Sequence, residues 1–346
     1  MELSQIGEFG LIERIKKLVG IPDKGVVVGI GDDSAILRPA PGRLLLCTSD
    51  TLIEGVHFDL DMISPKQLGK RAIVANLSDI AGMGGAPRYA MVSMGLPVKI
   101  SVEFVDEIFR GLKIAAQSYK VSIVGGDTVH SPSDLIISIA ILGEIEEGYA
   151  ILRSGARPGD EILVTGDIGA SGAGLATLKA DTRYQLPDTR RDRVIERHLT
   201  PIARVKEGRI IAQRMLATSM IDISDGLVGD INHICNLSRV GAKIWQARIP
   251  ISQETRGIAR KLKLNPLDFA LYGGEDFELL FTAPPERAQE AIEILGKETK
   301  TPVSRIGEIT PRKEGIQLIN SDGKRTKLEP RGYEHFKSGG LGVRIQ

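Results

Sequence analysis

Cysteine is almost missing from this chain: only Cys47 and Cys235 occur, far apart in sequence and each in an apolar stretch. Two cysteines and five scattered histidines exclude a disulfide framework and a zinc cluster of recognisable spacing. A reducing, cytoplasmic setting is the simpler expectation. Net charge is nearly absent as well, at +1, so there is no basic footprint for nucleic acid. No apolar run approaches a membrane span. Met1 to Gly20 reads as an amphipathic helix with charges throughout, without the basic start and apolar centre of a signal peptide. The phosphate loop Gly-x-x-x-x-Gly-Lys-Ser/Thr does not occur. Nor does any evident Ser-His-Asp or Cys-His constellation.

What remains is an ordinary soluble composition, 42% apolar and 26% charged, in 346 residues. That length is generous for one core and suggests two domains. Short apolar runs bounded by turns, Val26–Val28 and Leu44–Leu46, read as strands, as do Tyr89–Leu96, Ser122–Val124 and Leu135–Leu142. Ser64-Pro65 opens a helical pattern that ends at Gly82-Met83-Gly84-Gly85, and a second helix runs over Val102–Tyr119. The turn-rich Arg153–Asp160 marks the boundary between domains at 1–149 and 150–346. Beyond it, a strand is expected at Glu161–Thr165 and helices at Ser171–Lys179, Pro201–Met215 and Leu227–Asn236. Further strands are expected at Phe277–Phe281 and Val303–Ile309. The mixture is of the α+β class.

Aspartates recur in small, glycine-punctuated turns beside these runs. They include Asp32-Asp33 after Gly29-Ile30-Gly31, Asp50 after Thr48-Ser49, and Asp79 beside Asn76. Others are Asp127 after Gly125-Gly126, Asp222 and Asp225 around Ser224, and Glu275-Asp276 after Gly273-Gly274. Gly29-Ile30-Gly31 is not a dinucleotide fingerprint, since Ser34 holds the third glycine position and Pro39 and Pro41 follow where a helix should run. Gathered carboxylates repel each other unless cations sit between them. Hard oxygen ligands suit Mg²⁺, which usually shares its coordination with substrate phosphates. Each motif also has a plainer explanation. Asp50 could finish a strand with an Asx turn. Asp79 could pair with Lys70 or Arg71. Gly-Gly-Asp makes ordinary turns, one of Asp222 and Asp225 could be a helix cap, and His57 alone is a weak signal.

In their order, however, these segments resemble the thiamine-monophosphate kinase family. The resemblance is carried by Gly29–Ser34, Thr48–Phe58, Ala75–Met83, Gly125–Thr128, Arg153–Asp160, Ile221–Leu227 and Tyr272–Phe281. Gly7–Ile12 and Gly332–Phe336 add to it. It implies the two-domain aminoimidazole-ribotide-synthetase-like fold, with N-terminal domains that form a β-barrel across a homodimer. By matching position, Asp33, Asp50, Asp79, Asp127, Asp222 and Asp225 resemble ligands of several Mg²⁺ ions, assisted by Thr48 and Ser49. Tyr119, Gly126, Asp127, Arg153 and Ser224 resemble ATP contacts, and His57, Glu275 and Tyr333 resemble contacts to thiamine monophosphate. The implied reaction is direct in-line phosphoryl transfer, with Asp79, Asp222 and Arg153 nearest the chemistry. One departure, Gly82-Met83-Gly84-Gly85 where the family more often has alanines, bears on local helix stability. Selenophosphate synthetase and hydrogenase-maturation carbamoyl dehydratase are the neighbouring possibilities, but Cys47 and Cys235 fit the cysteine positions of neither.

Overall fold

The computed structural model describes residues 3–20, 25–28, 30, 35–180 and 188–329. Gly29, the Gly31–Ser34 turn with Asp33, and the Gly332–Phe336 segment with Tyr333 lie outside the described residues. The chain divides into two compact units, Met1–Ile80 with Gly85–Gly148, and Ala81–Gly84 with Tyr149–Gln346.

The first unit contains α1 (Leu3–Val19), β1 (Val26–Val28), β2 (Ile36–Leu37), β3 (Arg43–Ile53), α2 (Pro65–Gly82), β4 (Ala86–Leu96), α3 (Val102–Ser118), β5 (Ser122–His130) and β6 (Ile136–Glu146). Four strands form a sheet in the order β3-β6-β4-β5. The pairs of β6 with β3 and β4 are antiparallel, and β5 lies parallel to β4. A parallel neighbour needs a crossover, and α3 supplies it. Its start is fixed by Ser101, whose hydroxyl accepts from the Phe104 N–H at 3.2 Å. Val102, Val105, Ile108, Phe109, Leu112, Ala115 and Ala116 then recur at helical spacing as its buried stripe. The opening of α2 is a reciprocal cap: Ser64 N–H donates to Gln67 Oε1 and Gln67 N–H to Ser64 Oγ. The doubtful glycines do not shorten α2, which runs to Gly82; Gly84 and Gly85 N–H groups then close on the carbonyls of Ala81 and Ile80. Along β6, Ile137, Ile139 and Ile141 are buried while the residues between them are half-exposed, so one face of the sheet is core and the other is open. Burial of each such side chain contributes about 1.5–3 kcal/mol.

The second unit contains β7 (Glu161–Thr165), α4 (Ala170–Lys179), α5 (Asp188–Leu199), α6 (Val205–Gln213), β8 (Ser219–Asp222), α7 (Leu227–Ser238), β9 (Val240–Trp245), α8 (Gln253–Leu262), α9 (Pro266–Tyr272), β10 (Leu279–Ala283), α10 (Pro285–Glu298), β11 (Val303–Pro311), β12 (Ile316–Ile319) and β13 (Arg325–Lys327). Its seven strands run in the order β13-β12-β9-β11-β7-β10-β8, antiparallel except for β12 against β9. Both faces are covered. Ile162 and Val164 of β7 pack with Val228, Ile231 and Ile234 of α7, whereas Leu163 packs with Ile211 of α6 and with Ala288 and Leu295 of α10. This is why β7 and β10 read as continuous apolar runs. A third cluster joins α4, α5, α8 and α9 through Ala173, Val194, Ile258 and Phe269. Both cysteines are free, Cys47 exposed and Cys235 buried. No described helix is long and apolar enough to cross a membrane.

Candidate active site

In the first unit the sheet brings Thr48, Asp50 and Asp79 together. Thr48 and Asp50 are alternate residues of β3, both half-buried, whereas the side chains between and beside them are exposed. Strand alternation therefore points both toward one face. There the Thr48 hydroxyl donates to the Asp79 carboxylate on α2. One helical turn earlier, the fully buried Asn76 accepts the Asp50 N–H at 3.0 Å through its Oδ1. Burial, with the Asp79 charge beside it, pushes the Asp50 carboxyl up to about 6. Asp50 thus lies inside β3 and does not end it. Arg71, one of the plainer partners considered for Asp79, donates to the His57 carbonyl at 3.0 Å. His57 itself accepts the Ile53 N–H on Nδ1 at 3.0 Å, which leaves Nε2 as the ring position able to carry a proton.

Ser49 and Asp127 are not part of that group. Ser49 points to the opposite, open face of β3. Asp127 sits on β5, the far edge of the sheet from β3, in register with Ser93 and, through it, with Ser138 and Thr51 on the same open face. Three strand spacings separate β3 from β5, about 14 Å. Asp127 is exposed and accepts the Thr128 N–H at 2.9 Å. The adjacent Gly126 is required by close approach: a Cβ there would lie 1.8 Å from the Val92 carbonyl oxygen of β4. Tyr119 caps α3 and is half-buried just before β5, so it shares a connection with Gly126 and Asp127.

The second unit holds a denser acidic group. Asp222 ends β8 and is buried, Ser224 and Asp225 follow, and α7 begins after Gly226. Asp230, in the first turn of α7, is 1% exposed, and its Oδ2 accepts the Asp225 N–H at 3.2 Å. Burial and the charges of Asp222 and Asp225 hold its carboxyl well above the usual range, with Arg153 pulling the other way. Arg153 is exposed, and its charge favours the ionised form of Asp230. Glu275 joins the same region: its N–H donates to the Ser224 carbonyl at 2.8 Å, and the Phe277 N–H to the Ile223 carbonyl at 2.9 Å. Gly274, Glu275 and Phe277 all have positive φ, at 63°, 56° and 53°. A Cβ on Gly274 would meet the Ser224 carbonyl at 2.6 Å. The turn is thus stitched directly onto the acidic loop.

Beneath it lies a buried polar layer. Asp276 accepts the N–H groups of Gly169 and Ser171 at the start of α4, at 2.5 and 3.0 Å. Glu278 accepts from Thr165, Arg197 and Arg204 at 2.6–2.7 Å and is fully buried. The sequence motifs give no role to Asp230, Glu278 or His198, and Asp276 appears in them only as part of the acidic turn after Gly273-Gly274. Asp276 and Glu278 sit within the recognised Tyr272–Phe281 motif, which was the available signal.

Among the described residues no three His, Cys, Asp or Glu side chains form a metal-holding group. The first unit offers two carboxylates and a hydroxyl, with Asp33 outside the described residues. That donor set, in which burial and the neighbouring Asp79 charge raise the Asp50 carboxyl to about 6, suits a hard divalent cation completed by water and phosphate oxygens.

The family profile described as AIR synthase related protein, N-terminal domain, matches residues 31–145, and the corresponding C-terminal domain profile matches residues 157–319. The thiamine-monophosphate kinase of Bacillus subtilis is 37% identical over 95% of this chain and 99% of its own. A crystal structure of thiamine-monophosphate kinase from Stenotrophomonas maltophilia superposes with a TM-score of 0.80 at 31% identity, covering 93% of this chain and 98% of that one. AaThiL complexed with AMPPCP and TMP superposes with a TM-score of 0.75 at 38% identity, covering 97% and 99%. With the two-domain AIR synthase-like fold and these relatives along nearly its whole length, the chain belongs to the thiamine-monophosphate kinase family.

Proposed function

We propose that this protein transfers the γ-phosphoryl group of ATP to the phosphate of thiamine monophosphate, giving thiamine diphosphate and ADP as the last step of thiamine diphosphate synthesis. The observation that carries it is near-complete coverage by a 38% identical relative whose structure holds AMPPCP, an ATP analogue, and TMP. The acceptor phosphate has a second pKa of about 6 and is largely dianionic at neutral pH. It needs no general base, which accords with a chain lacking a nucleophile–base pair in its motifs. The obstacle is the approach of two polyanions. Thr48, Asp50 and Asp79 in the first unit would hold Mg²⁺, as would Asp222 and Asp225 in the second. The resemblance adds Asp33, and adds Asp127 as a ligand at a separate position on the open sheet face. Mg²⁺ bound there would neutralise and align the phosphate oxygens. Arg153, whose charge acts on the neighbouring Asp230, adds a cation to this region. Tyr119, Gly126 and Ser224 meet ATP, while His57, Glu275 and Tyr333 meet the acceptor. Transfer is direct, without a phosphoenzyme, and the protein contributes positioning and charge stabilisation.

The active form in this proposal is a cytoplasmic homodimer built on the N-terminal domain. Leu45, Met91 and Val129 are exposed at 53%, 39% and 55% on strands of the first sheet. Apolar side chains of this kind on a sheet left open favour a covering partner. A second copy closing the two sheets into a barrel would cover them and bring its own Ser49 and Asp127 to the shared surface. The test is a panel of acceptors with MgATP: thiamine monophosphate, free thiamine, selenide and a ribonucleotide. ATP turnover with selenide or the ribonucleotide and none with thiamine monophosphate would overturn the proposal.

A further inference from the structure

None of the motif roles uses the buried His198. It lies in the last turn of α5 and is 5% exposed. Its Nδ1 is 3.0 Å from Ser171 Oγ and 3.7 Å from the Glu275 carboxylate. The first distance is a hydrogen bond; the second is a charge contact just beyond one. Ser171 is itself anchored, since its N–H donates to Asp276 at 3.0 Å. Glu275 stands in the left-handed turn described above, its N–H tied to the Ser224 carbonyl. Its backbone is therefore fixed, while its side chain remains one-third exposed. The imidazole meets this carboxylate from the buried side.

We infer that His198 is a positioning residue for Glu275, holding its carboxylate in place so that a cationic ring of the phosphate acceptor is recognised. The inference rests on the proposed reaction, in which Glu275 meets thiamine monophosphate, whose thiazolium ring carries a fixed positive charge. A carboxylate held in advance loses little freedom when that ring binds. A loosely held one must be ordered at binding, and the acceptor alone suffers. A histidine that only filled space between α4 and α5 would instead alter stability and treat ATP and acceptor alike.

The test is steady-state kinetics, with both substrates varied, on the parent, His198→Ala, His198→Asn, Glu275→Gln and the double variant His198→Ala/Glu275→Gln. His198→Ala should raise the acceptor KM about 10-fold and leave the ATP KM within about twofold, through the loss of the charge contact that holds the Glu275 carboxylate. His198→Asn, whose amide can donate from the same position, should recover most of that loss. In the Glu275→Gln background the His198 change should add nothing, because its effect runs through the carboxylate. An unchanged acceptor KM in His198→Ala, or the same fold-change with and without Glu275, overturns the inference and leaves the reaction standing. If the alanine variants fail to fold, His198→Leu, which fills the space without a donor, alone and with Glu275→Gln gives the same comparison. A parent protein with no turnover of thiamine monophosphate overturns the reaction itself, and this role with it.

Discussion

The Thr48 hydroxyl of β3 donates to the Asp79 carboxylate of α2, across 31 positions of sequence. This contact orients one oxygen of Asp79 beside Asp50, whose carboxyl is raised to about 6 by burial and by that same charge. Two acids so placed serve a cation better than they serve stability. Asp79→Asn should therefore abolish turnover while leaving the fold intact, because the amide keeps the shape and removes the charge. Added Mg²⁺ should raise the melting temperature less than in the parent. Near-parental turnover with an unchanged Mg²⁺ effect would remove Asp79 from the ligand set.

Asp276 gives a pH signature of a different kind. Burial outweighs its two backbone N–H donors and lifts its carboxyl to about 7. The unfolded value is about 4, so between these limits the native protein holds a proton that the unfolded chain releases. The stability linked to this group is complete below about pH 4 and is lost as pH rises toward about 7. Asp276→Asn should flatten that decline. Melting temperatures measured from about pH 4 to 8 check it, and parallel slopes in parent and variant would contradict it.

Glu278 is fully buried between Arg197 and Arg204, with Thr165 completing its bonds. Glu278→Ala would leave two guanidinium groups facing a neutral gap. Removing one partner of a buried charge group costs about 3–5 kcal/mol, so urea midpoints should fall sharply. A loss below about 1 kcal/mol would mean that water reaches the arginines in the folded state.

Dimerisation through the open sheet face predicts twice the chain mass by light scattering at micromolar concentration. Met91→Asp, placing a charge among exposed apolar side chains of β4, should shift the population to monomer and lower activity with it. A monomeric, fully active parent would rule out the barrel.

Much of the frame was legible in sequence because local chemistry and tertiary environment agree there. Ser64-Pro65 starts α2 and Ser101 starts α3 as capping residues should. The strand at Glu161–Thr165 matches its expected bounds. Other boundaries moved for physical reasons. The strand expected at Phe277–Phe281 begins two residues later, as β10, because Phe277 is left-handed and cannot join the ladder. The helix expected from Pro201 starts at Val205, after Arg204 has turned to Glu278. Leu44–Leu46 lengthened to the eleven residues of β3, carrying Thr48 and Asp50 into the strand. The site was legible where acids stand in turns, and less so where they lie in regular elements. Asp230 reads as an ordinary acidic first-turn residue of α7, and His198 as one more polar residue of a highly charged helix. Asp230 meets Asp225 only five residues away, across the turn at Gly226, whereas His198 meets Glu275 only through long-range folding. The facing of Ser49 and Asp127 away from Asp79 depends on strand alternation and sheet order, which motif spacing does not contain.

The central claim is most directly tested by incubating the purified protein with Mg²⁺, γ-labelled ATP and thiamine monophosphate, then separating the products by chromatography. Label should appear in thiamine diphosphate, equimolar with ADP, and free thiamine should be a poor acceptor because its neutral hydroxyl needs a base that this site does not supply. Label released only as inorganic phosphate, or carried to another acceptor while thiamine monophosphate is recovered unchanged, would contradict it.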